Sequence, residues 1–107
     1  MKKYEFTGET KVIENGFEKV ELHRIRAVDT FGDVKTGDVG GWIESEKCLS
    51  CDGEAWVYDN AQVYGEARVH GSAQVYGDAQ VYDSARIYSD AQVYGDAQVC
   101  SNAQVCG

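Results

Sequence analysis

Residues 73–84 read Ala-Gln-Val-Tyr-Gly-Asp-Ala-Gln-Val-Tyr-Asp-Ser, and this six-residue pattern decides the fold. The pattern continues without interruption from Ala55 to the last residue. Within each hexad, Ala and Val alternate with Gln and Tyr, which is the period of a strand with one buried face. The next two residues, such as Gly-Asp or Asp-Ser, accept the backbone angles of a tight corner. Each hexad therefore predicts one short strand and one corner.

A repeat of this kind predicts an all-β solenoid. The inward positions recur at two and six residues, not at three and four, and this excludes a helix. Each short strand buries its apolar face only by stacking on its neighbours. Extending the frame backward places Leu49 in the Ala position and Cys51 in the Val position. We therefore expect the repeat region to occupy residues 43–107, within a chain long enough for one structural unit.

Residues 1–42 lack the hexad and predict an amino-terminal β cap. We expect strands at 3–6, 11–13 and 20–27, with a hairpin turn at 14–17. This meander would cover the open strand edge of the first rung. The junction would be sealed by Trp42 and Trp56.

Residues 31–44 carry a more specific pattern, Phe-Gly-Asp-Val-Lys-Thr-Gly-Asp-Val-Gly-Gly-Trp-Ile-Glu. Together with the hexads, this block resembles YdcK-like proteins and the short hexapeptide-repeat proteins of phages and prophages. The resemblance implies a left-handed β-helix in which three hexads form a triangular rung, so that residue n lies beneath residue n + 18. It suggests a phage-encoded protein and assigns no secure activity.

Composition limits the partners and the compartment. The 18 acidic residues exceed the 10 Lys and Arg and give a net charge of −8, which argues against a broad nucleic-acid surface. No stretch approaches the roughly 18 consecutive apolar residues of a membrane span, and the first residues do not read as an export signal. We expect a cytoplasmic protein without a membrane contact, in the host cytoplasm if it is phage-encoded, with its 4 cysteines as free thiols.

With three hexads per rung, the outward residues form three faces. Face one consists of Trp56, Tyr58, Gln74, Tyr76, Gln92 and Tyr94. Face two consists of Gln62, Tyr64, Gln80, Tyr82, Gln98 and Cys100. Face three consists of Ser50, Asp52, Arg68, His70, Arg86, Tyr88, Gln104 and Cys106. Only face three carries basic residues after Lys47.

The tyrosines of faces one and two predict an interface. Stacked tyrosines would stabilise the solenoid by themselves, but Tyr is also enriched at protein contacts, and we favour the second role. The expected interface residues are Tyr58, Tyr64, Tyr76, Tyr82 and Tyr94. Because the repeat runs to the end of the sequence and would leave a strand edge uncovered, we also expect a homo-oligomer.

The arginines of face three predict an anion site. Arg68 and Arg86 are expected to lie one above the other, where like charges repel unless an anion counters them. Glu66 or Asp90 would be the ordinary countercharge. A phosphate or another acidic ligand would be the functional one, with aromatic neighbours stacking on a base. The predicted ligand-binding residues are Arg68, His70, Arg86 and Tyr88.

The remaining candidates predict no chemistry. Cys48-x-x-Cys51 resembles half of a zinc site, but no second pair lies within reach, and we expect neither a metal nor a cofactor. His70 is the general base of an acyltransferase hypothesis, yet no inserted loop accompanies it to shape a pocket for the acyl donor. For His23 we favour a structural role. We therefore predict no catalytic residue.

Three functions remain possible from the sequence. We favour a non-enzymatic, oligomeric binding protein that engages a host protein or sequesters a small anionic, nucleotide-like ligand, for example to counter host defence. A hexapeptide-repeat acyltransferase is the first alternative and rests on fold analogy. A structural, polymer-forming β-rod is the second.

Overall fold

The computed structural model describes residues 3–15, 18–51 and 53–106. Asp52 of the predicted face three lies outside these residues, as does half of the hairpin turn expected at 14–17. The described part is all-β and contains no α-helix, only a short 3₁₀ turn at Glu46–Cys48. None of its helical segments has the length and apolar character to cross a membrane.

The strands are short in the repeat region and long in the cap. The cap contains β1 (Tyr4–Asn15) and β2 (Glu18–Ala27), followed by β3 (Val39–Ile43). The repeats contain β4 (Trp56–Val57), β5 (Gln62–Val63), β6 (Arg68–Val69), β7 (Gln74–Val75), β8 (Gln80–Val81), β9 (Arg86–Tyr88), β10 (Gln92–Val93), β11 (Gln98–Val99) and β12 (Gln104–Cys106).

The repeats stack with three hexads per rung, which confirms the β-solenoid. Gln62 pairs in parallel with Gln80, and Gln80 with Gln98, a spacing of 18 residues. Three sheets result. Face one is the sheet β10-β7-β4 and face three is β12-β9-β6, whereas face two belongs to a six-stranded sheet of order β1-β2-β3-β5-β8-β11.

The core is the column of inward Ala, Val and Ile side chains. Between Ala55 and Val93, each of these side chains has a relative exposure of 4% or less. Burying one Val contributes about 1.5–3 kcal/mol. Each repeat therefore adds a similar contribution to the free energy of unfolding of the solenoid.

The corners are tied to the rung above by carboxylates. Asp59 and Asp83 have positive φ angles of 56° and 61°, which Asp tolerates better than most residues. The Asp59 carboxylate accepts a hydrogen bond from the backbone N–H of Gly77 at 3.1 Å, and Asp83 accepts one from Ser101 at 3.2 Å. At these two corners the acidic side chain therefore links one rung to the next.

The cap differs from the expected meander. The first two expected strands are one continuous β1, with a register shift between Phe6 and Thr10 in its antiparallel pairing with β2. β2 pairs with β3, and β3 pairs with β5, so the cap extends the sheet of face two. The boundary expected between residues 42 and 43 falls inside β3.

Both tryptophans seal the junction, as predicted. Trp56 is 1% exposed and makes edge-on ring contacts with Tyr4 at 6.2 Å and Phe31 at 5.4 Å between centroids. Trp42 is 5% exposed, and the Lys11 ammonium nitrogen lies over its ring, 4.5 Å from the ring centroid.

The backward extension of the repeat frame is wrong by two residues. Leu49, and not Cys51, pairs with Val69 in the inward row. The corner between Leu49 and Ala55 holds the five residues 50–54, whereas later corners hold three between the Val and Ala positions. Cys51 lies in this corner, where it is partly buried against the core.

Candidate ligand-binding site

The two arginines of face three lie side by side. β6 and β9 pair in parallel, with Arg68 opposite Arg86 and Val69 opposite Ile87. The pleat turns Val69 and Ile87 into the core, fully buried, and leaves both arginines exposed. Neighbouring strands lie about 4.8 Å apart, so the two side chains leave the sheet as adjacent cations.

No carboxylate neutralises this pair among the described residues. The ion pairs found there join His23 to Glu21 and Arg26 to Glu5. Neither Glu66 nor Asp90 forms the expected ion pair with these arginines in the part of the chain that the structure describes, although Glu66 and Arg68 line the same hollow. Adjacent like charges destabilise a sheet by some tenths of a kcal/mol, which an external anion would relieve.

His70 and Tyr88 follow Arg68 and Arg86 by two residues and occupy the next outward position of each hexad. Their rings stack, with centroids 5.4 Å apart and planes inclined by 14°. Tyr88 also lies opposite Cys106. A hydrogen bond with Cys106 raises the pKa of the Tyr88 phenol, an effect that the Arg86 cation opposes. Ser50 lies next to His70 on the other side from Tyr88, because the Ser50 backbone N–H donates to the carbonyl of Val69.

These side chains line a continuous shallow groove. One part has a volume of about 380 Å³ and is lined by Lys47, Ser50, Arg68, Val69, His70 and Arg86. The next part is lined by His70, Arg86, Tyr88 and Gln104. The two parts share His70 and Arg86, and none of these described lining residues is acidic. The groove thus brings together all four predicted ligand-binding residues.

Two lysines outside the regular hexads lie at the groove or beside it. Lys47, in the 3₁₀ turn, lines the groove beside Arg68. A larger hollow of about 640 Å³ adjoins it, where Lys19 of the cap faces a wall of mixed charge that includes Glu44 and Glu66. Sequence reasoning missed both lysines, because both precede the uninterrupted hexads that begin at Ala55. Both lysines come close to face three only because the cap and the 3₁₀ turn pack against the first rung of the solenoid.

The tyrosines expected at an interface have different environments. Tyr76 and Tyr94 stack at 5.4 Å, and Tyr94 is 58% exposed. Tyr64 and Tyr82 stack at 5.2 Å. The expectation that Tyr64 is exposed is wrong. It is 5% exposed, because Val20 and Leu22 of the cap pack with it in a second apolar cluster.

The alternating apolar residues of the hairpin were the signal for this second cluster. Ile13, Val20 and Leu22 share one side of the β1-β2 ribbon, and that side covers the start of face two. Tyr58, the remaining predicted interface residue, meets Tyr76 edge-on at 6.3 Å. An intermolecular role for the tyrosines stays a prediction.

The cysteines and His23 were the remaining candidates from the sequence. All four cysteines are free thiols, and burial raises the pKa of Cys48. His23 stacks on Phe6 with ring centroids 4.6 Å apart. Within residues 3–15, 18–51 and 53–106, no three His, Cys, Asp or Glu side chains are placed to hold a metal ion.

Comparison with known families agrees with the architecture. The YdcK beta solenoid repeat family matches residues 61–77 and 73–89. This is a YdcK-like hexapeptide-repeat chain. The two matched segments contain Arg68, His70, Arg86 and Tyr88 of the YdcK-like chain, whereas Lys47, Ser50 and Gln104 of the groove lie outside them.

A curated relative of the YdcK-like chain carries an enzyme name. The chain is 40% identical over 63 residues to the protein named "Uncharacterized acetyltransferase YdcK" from Escherichia coli (strain K12). The match covers 55% of this chain and only 19% of that relative.

Proposed function

We propose that this YdcK-like chain is a non-enzymatic binding module that holds a small anionic, nucleotide-like ligand in the groove of face three. The observation that carries the proposal is the adjacent pair Arg68 and Arg86, which has no carboxylate partner among the described residues. Lys47 adds a third cation to the groove. The overall charge of −8 makes this local concentration of cations distinctive.

The geometry suits a phosphate next to a planar ring. Two arginine side chains that leave strands about 4.8 Å apart can share one phosphate or span two, and each charge-assisted hydrogen bond is worth about 1.5–3 kcal/mol. Tyr88 stacks on one face of His70, while Ser50 precedes His70 on the other. A base would stack on the face of the imidazole opposite Tyr88.

The same proposal includes a host-protein partner, a homo-oligomer, a phage origin and an anti-defence role. The exposed ring of Tyr94 and its stack with Tyr76 support a protein contact. The phage origin and the anti-defence role rest on the resemblance of residues 31–44 and the hexads. Light scattering at micromolar concentration tests the oligomer, and a strictly monomeric mass would refute it.

An acetyltransferase is the second candidate, and the name of the Escherichia coli relative favours it. In that case His70 would take the proton from the acceptor nucleophile, while the arginines bind the phosphates of the acyl donor. The two candidates differ in turnover, because an enzyme releases free coenzyme A from acetyl-coenzyme A and a binding module does not.

The experiment is isothermal calorimetry with ADP and with coenzyme A on matched double variants. Arg68→Ala/Arg86→Ala removes the cations, and Gln80→Ala/Gln98→Ala truncates the paired positions of face two in the same way. We expect the arginine variant to bind at least about 100-fold more weakly, and the glutamine variant to bind like the wild type.

Failure would be visible at two levels. If the wild type binds neither ligand, or if both double variants lose affinity equally, face three is not the site. If acetyl-coenzyme A yields free thiol with an added amine acceptor, and His70→Ala abolishes that release, the acetyltransferase replaces the binding module.

A further inference from the structure

One tyrosine of face one departs from the stacking seen elsewhere in the solenoid. The ring planes of Tyr64 and Tyr82 are inclined by 6°, and those of Tyr76 and Tyr94 by 13°. Tyr58 instead stands at 86° to Tyr76, with centroids 6.3 Å apart. Two aromatic walls therefore meet at a right angle. The Tyr76 phenol donates to Gln92 at 3.4 Å, away from Tyr58.

Two carboxylates border this aromatic corner. A hollow of about 280 Å³ is lined by Asp33, Tyr58, Asp59, Gln74 and Tyr76. Asp33 comes from the loop between β2 and β3, and Asp59 comes from the corner that follows β4. The hollow therefore forms only where the cap meets face one.

The electrostatic environment of the hollow is negative. The pKa of Tyr58 is raised, first by burial and then by the negative charges of Asp33, Asp38 and Glu54. Asp33 forms no hydrogen bond or ion pair within the described part of the chain. The nearby Arg24 donates to the backbone carbonyl of Asp59 at 3.4 Å and lies over the ring of Trp42, so it leaves the carboxylates without an ion pair.

We propose that the hollow between Tyr58 and Tyr76 binds an alkylammonium cation, such as a quaternary amine or an alkylated lysine side chain. The faces of the rings carry negative charge density and attract a cation placed over them, and two perpendicular rings contact it from two sides. Asp33 and Asp59 supply the countercharge. An anion would be repelled here, so this site is independent of the groove on face three.

The first test uses a charged and a neutral ligand of the same shape. Choline and 3,3-dimethylbutan-1-ol differ in the replacement of the quaternary nitrogen by carbon. We expect choline to bind with a millimolar Kd in an NMR titration that perturbs Tyr58 and Tyr76 resonances. The neutral analogue should bind at least about tenfold more weakly, since it lacks the attraction to the rings and the carboxylates.

Variants identify the groups responsible. Tyr76→Leu removes one aromatic wall and should weaken choline binding about tenfold, while Tyr58→Phe keeps the ring and should preserve binding. Asp33→Asn removes one charge from an exposed loop and should weaken binding several-fold. Tyr94→Leu is the matched control, because Tyr94 stacks in the same column but does not line the hollow.

The source of the cation is resolved by a peptide that contains one trimethyllysine. Affinity at least about tenfold above that of choline would identify a modified protein as the ligand, and equal or lower affinity would identify a small amine. The proposal is overturned if choline and its neutral analogue bind equally, or if neither binds at a ligand concentration of about 50 mM. It is also overturned if Tyr94→Leu weakens choline binding as much as Tyr76→Leu does.

Discussion

The side-chain ammonium of Lys3 donates a 2.6 Å hydrogen bond to the backbone carbonyl of Ala55. It also donates to the carbonyl of Gly53 at 3.2 Å and lies 4.7 Å from the ring centroid of Phe31. Lys3 is only 5% exposed, so these contacts replace water around a buried charge. The start of the cap is thereby tied to the first corner of the solenoid.

Lys3→Met should lower the free energy of unfolding by about 1.5–3 kcal/mol, because it leaves two carbonyls without their charged donor while nearly preserving volume. Urea denaturation followed by circular dichroism measures the change. Lys35→Met, on an exposed loop residue, is the control and should lie within about 0.5 kcal/mol of the wild type. Equal stability of the two variants would contradict the role of Lys3.

Val81→Asp should unfold the solenoid. Val81 is fully buried between Val63 and Val99 in the inward row, and a carboxylate there would lack a partner, at a cost of several kcal/mol. Gln80→Asp places the same side chain one residue earlier, where it points outward, and should fold. Far-ultraviolet circular dichroism and thermal melting distinguish them. A folded Val81→Asp with an unchanged melt would disprove the inward assignment.

Gly53→Ala should destabilise the protein more than Gly95→Ala. Both glycines have positive φ angles, 77° and 65°, so both substitutions carry a similar backbone penalty. A Cβ at Gly53 would lie 2.4 Å from the carbonyl oxygen of Gly71, whereas a Cβ at Gly95 meets nothing within 4 Å. We expect a further cost of about 1–3 kcal/mol at Gly53 in chemical denaturation. A smaller loss at Gly53 than at Gly95 would refute the close contact.

Stability should fall steeply in alkali. The pKa values of Tyr4 and Tyr64 are raised in the folded protein, above all by burial. The unfolded chain, with phenols near pKa 10, releases these protons first. The stabilisation is therefore complete below about pH 10 and is lost as the pH rises through the folded values.

Tyr4→Phe isolates the largest of these contributions. The Tyr4 hydroxyl donates to the carbonyl of Leu49 at 2.9 Å, so the variant should lose about 1 kcal/mol at pH 7. It should also show a shallower decline of unfolding free energy between pH 9 and pH 11. Tyr94→Phe, at an exposed ring, should follow the wild-type profile. Parallel curves for Tyr4→Phe and the wild type would show that Tyr4 does not govern the alkaline transition.

The sequence by itself determined the solenoid, and together with the family resemblance it predicted the juxtaposition of the arginines. The direction of successive side chains alternates along any strand, so the hexad assigns Val75 and Val81 to the core from the residues alone. Given three hexads per rung, which resemblance supplied, Arg68 must lie opposite Arg86. A regular repeat makes each local contact the same as the next, and one period therefore predicts the whole stack.

Only the tertiary structure decided what surrounds that stack. The packing of the β1-β2 hairpin buries Tyr64, the widened corner at 50–54 shifts Leu49 into the core, and the first turn brings Lys47 to the arginines. The right angle between Tyr58 and Tyr76 likewise occurs at the meeting of cap and solenoid. These contacts join segments without a shared period, so their geometry depends on side-chain volumes and on long-range packing that no local pattern encodes.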